Sequence, residues 1–242
     1  MKRESLQLAY ILHRRAYRET SLLLEIFSFN HGRLALLARG VKQKRSPKQA
    51  ILQPFIPLFL SWTGKGELPL LTEVELAGEM SFLQGKNLYS GFYCNELLVA
   101  LLGKYDAHPE IFNAYQQLLG ALKQQPLDEV ALRQFEQELL QQLGYGVLPH
   151  TLEHAHTEIA ANHSYQYIPE QGLVRVEEIS HAMGNAFAGE DLLAIVRQQW
   201  NAHTLRVAKQ LMRIALHSLL GNKPIHSRRL FIHFGEETYA NL

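Results

Sequence analysis

One cysteine in 242 residues, Cys94, leaves no partner for an intramolecular disulfide and excludes a zinc site built on cysteines. Such usage fits a reducing compartment. Cys94 sits in the apolar helical string GFYCNELLVALL, where buried packing is the expected role. No stretch reaches the ~18 continuous apolar residues of a membrane span. The amino-terminal string MKRESLQLAYILHRR has neither an apolar h-region nor a small-residue cleavage site, so a soluble, cytoplasmic protein without a membrane partner is expected. The chain carries no G-x-x-x-x-G-K-[ST], no G-x-S-x-G and no H-E-x-x-H, which removes the simple P-loop, nucleophile-elbow and zincin readings. Internal repeats and low-complexity segments are also missing.

Acidic residues are absent from one stretch in particular. Between Arg33 and Lys48 stand six cations, Arg33, Arg39, Lys42, Lys44, Arg45 and Lys48, with no carboxylate among them. The formal net charge of the chain is only +1, so this is a local concentration. Residues 1–80 carry 12 Lys and Arg against 7 Asp and Glu; the remaining 162 carry 12 against 16. That asymmetry predicts a basic binding module joined to a near-neutral scaffold, and a phosphate backbone is the partner such a patch suits. A solvated lysine-rich loop is the plain alternative.

The first 80 residues have strand periodicity. Leu6, Leu8, Tyr10 and Leu12 alternate along SLQLAYILHRR, and LLLEIFSF and RLALLARGV flank the hairpin signal Asn30-His31-Gly32. LQPFIPLFLSW and ELPLLTEVEL follow, divided by Thr63-Gly64-Lys65-Gly66; Pro54, Pro57 and Pro69 predict edge positions or bulges there. Five short strands in about 80 residues predict a small closed barrel.

From about Gly85 the period becomes helical. Stripes run through Leu88, Phe92, Leu97, Leu98, Leu101 and Leu102, and through Ile111, Tyr115, Leu118, Leu119 and Leu122. The third stripe, Val130 to Leu143, has Asp128 and Glu129 at its start and Gly144 as its stop. Residues 145–185 predict only a short strand pair around SYQYIP and GLVRV. Helices return at EDLLAIVRQQW and HTLRVAKQLMRIALHSLLG, and a last short helix begins near Pro224. The class is therefore α+β, with a β-barrel domain over residues 1–80 and an α-helical domain over 81–242.

One catalytic string occurs. His150-Thr151-Leu152-Glu153-His154 matches H-x-x-E-H, which opens a histidine-site zinc hydrolase as an alternative function. Pro149 and Gly146 beside it, and only 88 residues after it, argue against a peptidase cleft and for ordinary surface histidines, with a structural histidine metal site as the remaining alternative. A second alternative, a sequence-specific DNA-binding regulator, requires a recognition helix aimed at base edges. The cations here lie mainly on strand and loop. On the helices, Arg133 and the row Arg206, Lys209 and Arg213 are either a solvated flank or, beside an apolar groove, a seat for the carboxylates of an acidic peptide.

The strings YILHRRAYRETSLLLEIFS, GRLALLARGVKQKRS, LQPFIPLFLSWTGKGEL, LYSGFYCNELL, LRQFEQELLQQLGYG and GNKPIHSRRLF occur in order across some 220 residues and resemble the RecO family of bacterial DNA repair proteins. The resemblance implies an N-terminal OB-fold barrel, a C-terminal helical domain and a non-enzymatic, nucleoid-associated recombination mediator. It implies binding of single- and double-stranded DNA, annealing of complementary strands, and help in loading RecA onto strands coated by single-stranded DNA-binding protein (SSB). The implied protein partners are RecR and the acidic, apolar C-terminal tail of SSB, with RecA engaged indirectly. Many relatives carry a four-cysteine zinc element after the LGYG string. Residues 145–175 hold no cysteine, so a degenerate, zinc-free version of that insertion is expected and no metal or other cofactor is assigned.

An OB barrel grips single strands with a cationic groove and exposed aromatics. The phosphate contacts expected here are Arg33, Arg39, Lys42, Lys44, Arg45 and Lys48, with Arg14, Arg15 and Arg18 as a second cluster. The stacking candidates are Tyr10 and Trp62, followed by Tyr17 and Phe27. For the SSB tail, Arg133, Arg206 and Lys209 are expected to rim an apolar pocket containing Leu205 or Met212.

Overall fold

A computed structural model of the chain describes residues 3–42, 47–64, 66–124, 126–148, 159–177 and 185–233. In chain order the first elements are β1 (Arg3–Tyr17), β2 (Ser21–Ser28), β3 (Gly32–Ala38), α1 (Pro47–Ile51), β4 (Leu58–Thr63), β5 (Leu70–Leu76), α2 (Gly85–Leu101) and α3 (Pro109–Leu122). Then come α4 (Glu129–Gln142), β6 (Ser164–Ile168), β7 (Gly172–Val176), β8 (Ala186–Ala188), α5 (Gly189–Val196), α6 (Ala202–Leu220) and α7 (Arg228–His233). Two compact units emerge. One holds the residues up to Leu127 together with the segment from Pro224; the other runs from Asp128 to Lys223. The change of period near residue 80 therefore falls inside the first unit, because α2 and α3 pack on the barrel.

In the first unit the strands close in the order β1-β2-β3-β5-β4, with β4 returning to β1. All pairings are antiparallel except the short β3–β5 contact, where Leu37 faces Leu70. Alternation drives closure: Ala9, Ile11, Leu24, Ile26, Leu34, Leu36, Leu58 and Leu60 point inward and are buried. The prolines shorten two predicted strands. β4 starts at Leu58, after Pro54 and Pro57, and β5 starts at Leu70, directly after Pro69, because proline brings no ladder donor. The residues ahead of Pro54 instead contain α1, a helical turn that the apolar pattern did not announce.

Around Tyr10 and Phe27 the outer face of β1 and β2 is not open to solvent. Tyr10 meets Phe112 and Tyr115 of α3 with ring centroids 5.5 and 5.3 Å apart, and Phe27 meets Phe112 at 5.3 Å. Behind them Asn95 of α2 donates to the Leu12 carbonyl at 2.8 Å and accepts from the Tyr115 hydroxyl. Ile111, Phe112, Tyr115, Leu118, Leu119 and Leu122 are all buried, as a helix with one apolar stripe requires. Cys94 is fully buried on α2. α7 returns to α2, where Glu96 accepts from the Ser227 hydroxyl and amide.

In the second unit α4 packs on α6. Asp128 caps α4 by accepting from the Ala131 amide at 3.1 Å, and Asn201 with Thr204 forms a reciprocal capping box on α6. Leu132, Phe135, Leu139 and Leu140 face Ala208, Leu211, Met212, Ala215 and Leu216 across the buried seam. The expected strand pair is β6–β7, and β8 adds a third strand on the far side of β6, giving a small sheet of order β7-β6-β8. No helix among the described residues is long and apolar enough to cross a membrane.

Candidate nucleic-acid interface

The cations divide into those the fold brings together and those it occupies. At one end of the barrel the β1–β2 turn carries Arg18 and the segment after β3 carries Arg39 and Lys42. The Lys42 amide donates to the Thr20 carbonyl at 3.0 Å, which holds this segment against that turn. Arg18, Arg39 and Lys42 are exposed, as is Arg15 near the end of β1. Among the described residues none of these four forms an ion pair; Glu19 is the one acidic side chain in the turn. The Arg18 guanidinium sits 5.4 Å from the centre of the half-buried Tyr17 ring, so a cation and an aromatic face stand side by side. Arg14 donates to the Leu52 carbonyl at 3.0 Å and ties the strand end to the segment after α1. Lys48 is exposed on α1 and donates to Thr72 of β5 at 3.1 Å. Lys44 and Arg45 lie outside the described residues.

Four expected contacts require correction. Arg33 is no phosphate ligand: it pairs with Glu25, both side chains largely buried, and donates to the Leu102 carbonyl at 3.0 Å. Tyr10 is 3% exposed beneath α3 and has no free face on which a base can stack; Phe27 is sealed in the same way. Burial pushes the Tyr10 phenol up to about 12. Trp62 is 4% exposed and belongs to the barrel core, with the His31 ring edge-on at 5.3 Å. Helix packing over the barrel removed the first two aromatics, and the inward turn of β4 removed the third from the open surface.

Sequence reasoning passed over a pocket at the opposite end of β3. A cavity of about 350 Å³ is lined by Glu4, His31, Leu34, Trp62, Gly64, Gly66, Pro69 and Tyr105. Tyr105 is 49% exposed and reaches across to donate to the Gly66 carbonyl at 3.0 Å. Its phenol is raised by burial, then by Glu67 and Glu25, so it stays protonated as a donor. The string GKYD gave no hint of this, because Tyr105 lies in a loop that meets the barrel only through tertiary contacts.

On α4 and α6 the cations are unequal. Arg133 and Glu136 form a 2.9 Å ion pair with side chains 4% and 1% exposed. Arg133 therefore neutralises an internal carboxylate and is not a rim cation. Met212 is 1% exposed inside the α4–α6 seam, so it is not the floor of a surface pocket. Arg206 is exposed and donates to the Ala202 carbonyl; Leu205 and Lys209 are half-buried beside it. The Lys209 ammonium is held below its ordinary value, first by burial and then by the Arg133 charge.

His150, Glu153 and His154 lie outside the described residues. Among the described residues no group of three His, Cys, Asp or Glu side chains is arranged to hold a metal ion.

Residues 1–80 match the family described as Recombination protein O N terminal, and residues 83–229 match Recombination protein O C terminal. A protein of Pasteurella multocida (strain Pm70) named DNA repair protein RecO is 44% identical over 234 residues, 96% of each chain. Its namesake in Glaesserella parasuis serovar 5 (strain SH0165) is 42% identical, covering 94% of this chain and 95% of its own. That of Pseudoalteromonas atlantica (strain T6c / ATCC BAA-1087) is 41% identical over 92% of both. With an OB-like barrel in front, helices behind and this likeness along nearly the whole length, the chain belongs to the RecO family of DNA repair proteins.

Proposed function

We propose that the chain is a non-enzymatic recombination mediator. It binds single- and double-stranded DNA through the barrel, anneals complementary strands and helps load RecA, together with RecR, on SSB-coated DNA. The observation that carries the reading is the meeting of Arg18, Arg39 and Lys42 at one exposed end of the barrel, pinned by the Lys42–Thr20 backbone bond. Lys44 and Arg45 belong to the same basic stretch of sequence. Annealing needs no covalent step: cations that neutralise phosphates on two strands lower their mutual repulsion and raise their encounter rate. The SSB tail, acidic and apolar, suits the α6 surface where the exposed Arg206 guanidinium stands beside the half-buried Leu205 and Lys209.

The experiment is annealing of complementary oligonucleotides coated with SSB, either intact or lacking its tail. The expected result is fast annealing with intact SSB, slowed when the tail is removed and lost when Arg18, Arg39 and Lys42 are changed together to Glu. Annealing by that triple variant at the parental rate removes the barrel end from the mechanism.

A further inference from the structure

The cavity at the other end of β3 has walls unlike those of the cationic end. Trp62, Leu34 and Pro69 supply apolar surface, while Glu4 and His31 place a carboxylate and an imidazole 3.5 Å apart. Its rim is built under constraint. Tyr105 has φ +59°, a left-handed conformation that bulky side chains rarely adopt. The strain is held by two bonds: the Tyr105 amide donates to the Arg33 carbonyl at 2.9 Å, and its hydroxyl donates to Gly66 at 3.0 Å. The approach of this loop also depends on Gly32, where a Cβ would lie 1.8 Å from the Asp106 carbonyl oxygen. Strained backbone kept in place by several independent contacts is characteristic of ligand clamps.

We propose that this pocket captures one unstacked nucleobase of single-stranded DNA and prefers a base that carries an exocyclic amino group. The inference rests on the DNA-binding reading above and extends it to base choice. A carboxylate accepts from an amino group such as cytosine N4, and an adjacent imidazole serves the neighbouring ring nitrogen. Thymine offers a carbonyl at that edge and meets the Glu4 carboxylate with repulsion. The exposed Tyr105 ring furnishes the aromatic wall against which an extruded base rests, with the edge of the buried Trp62 at the pocket floor. β3 runs past both sites: Gly32 at its start follows His31 and Ala38 at its end precedes Arg39, a strand of about 20 Å at strand spacing. That span suits the ~4–16 nucleotides that a single OB barrel covers. A strand tracked by the cations at one end therefore delivers a base to the pocket at the other.

The test uses the full chain with Trp200→Phe, which leaves Trp62 as the sole tryptophan. Its fluorescence is followed on titration with oligodeoxycytidylate and oligothymidylate of about twelve nucleotides. The expected outcome is a Trp62 response and about tenfold tighter binding of the cytidylate. Glu4→Gln and Tyr105→Ala, each checked for an unchanged melting temperature, should erase the preference and leave the salt dependence intact. Equal affinity for both oligomers with no change in Trp62 emission overturns the pocket and leaves the DNA-binding reading standing. Failure of both oligomers to bind overturns both readings.

Discussion

Arg33 is the residue whose role is set by its neighbours rather than by its charge. It opens the basic stretch of sequence, yet its guanidinium joins Glu25 and the Leu102 carbonyl, and its own carbonyl receives the Tyr105 amide. Arg33→Ala should cost about 3 kcal/mol in denaturant unfolding, since Glu25 is left largely buried without its partner. The same variant should leave the salt dependence of DNA binding unchanged. This pairing was legible in principle: the Asn30-His31-Gly32 hairpin sets Phe27 opposite Arg33 and Glu25 opposite Ala35, which makes Glu25 and Arg33 diagonal neighbours on one face. Tyr10 shows the converse. Alternation marked its strand correctly, but nothing local tells whether the outer face of that strand meets water or a helix 100 residues on. Its phenol, near 12 in the folded chain against 10.0 ordinarily, contributes stability that is complete below about pH 10 and is lost as pH rises through 12. Tyr10→Phe should reduce the fall in unfolding free energy between pH 9 and pH 12 by about 2 kcal/mol.

At the scale of elements, side-chain period and punctuation carried most of the information. The stripes of α3 and α4 were readable because one apolar face at 3.6-residue spacing has few other solutions, and Asp128 marked a start. The barrel strands were readable from alternation, although prolines cut β4 and β5 shorter than their apolar runs. β8 was missed because three residues are too few for a period to register. The cations on α4 and α6 show the limit of such reading. Arg133 and Glu136 stand at the i,i+3 spacing that favours pairing, but spacing does not distinguish a surface pair from one sealed in a helix seam. Glu136→Gln should therefore destabilise the second unit by about 3 kcal/mol, read as a lowered unfolding midpoint. Arg206→Ala should change stability by less than about 0.5 kcal/mol. If the tail reading holds, that exposed change, and not a change at Met212, weakens binding of an SSB-tail peptide in calorimetry.

For the whole molecule, the family, the strand-then-helix order and the basic character of the front unit followed from composition, period and a set of ordered strings. The position of the charge did not. Of the nine cations expected at the DNA, Arg33 is internal and Arg14 is bonded to the backbone. Arg15, Arg18, Arg39 and Lys42 remain exposed at the end where the β1–β2 turn meets the segment after β3. If that end holds the phosphate backbone, each lost contact lowers the single-strand salt slope by about 0.7. The direct test is the dependence of log Kobs on log salt concentration for a single-stranded oligonucleotide, compared between the parent chain and the variant with Arg18, Arg39 and Lys42 changed to Ala. A slope reduced by about 2 is predicted; an unchanged slope with unchanged affinity contradicts the account.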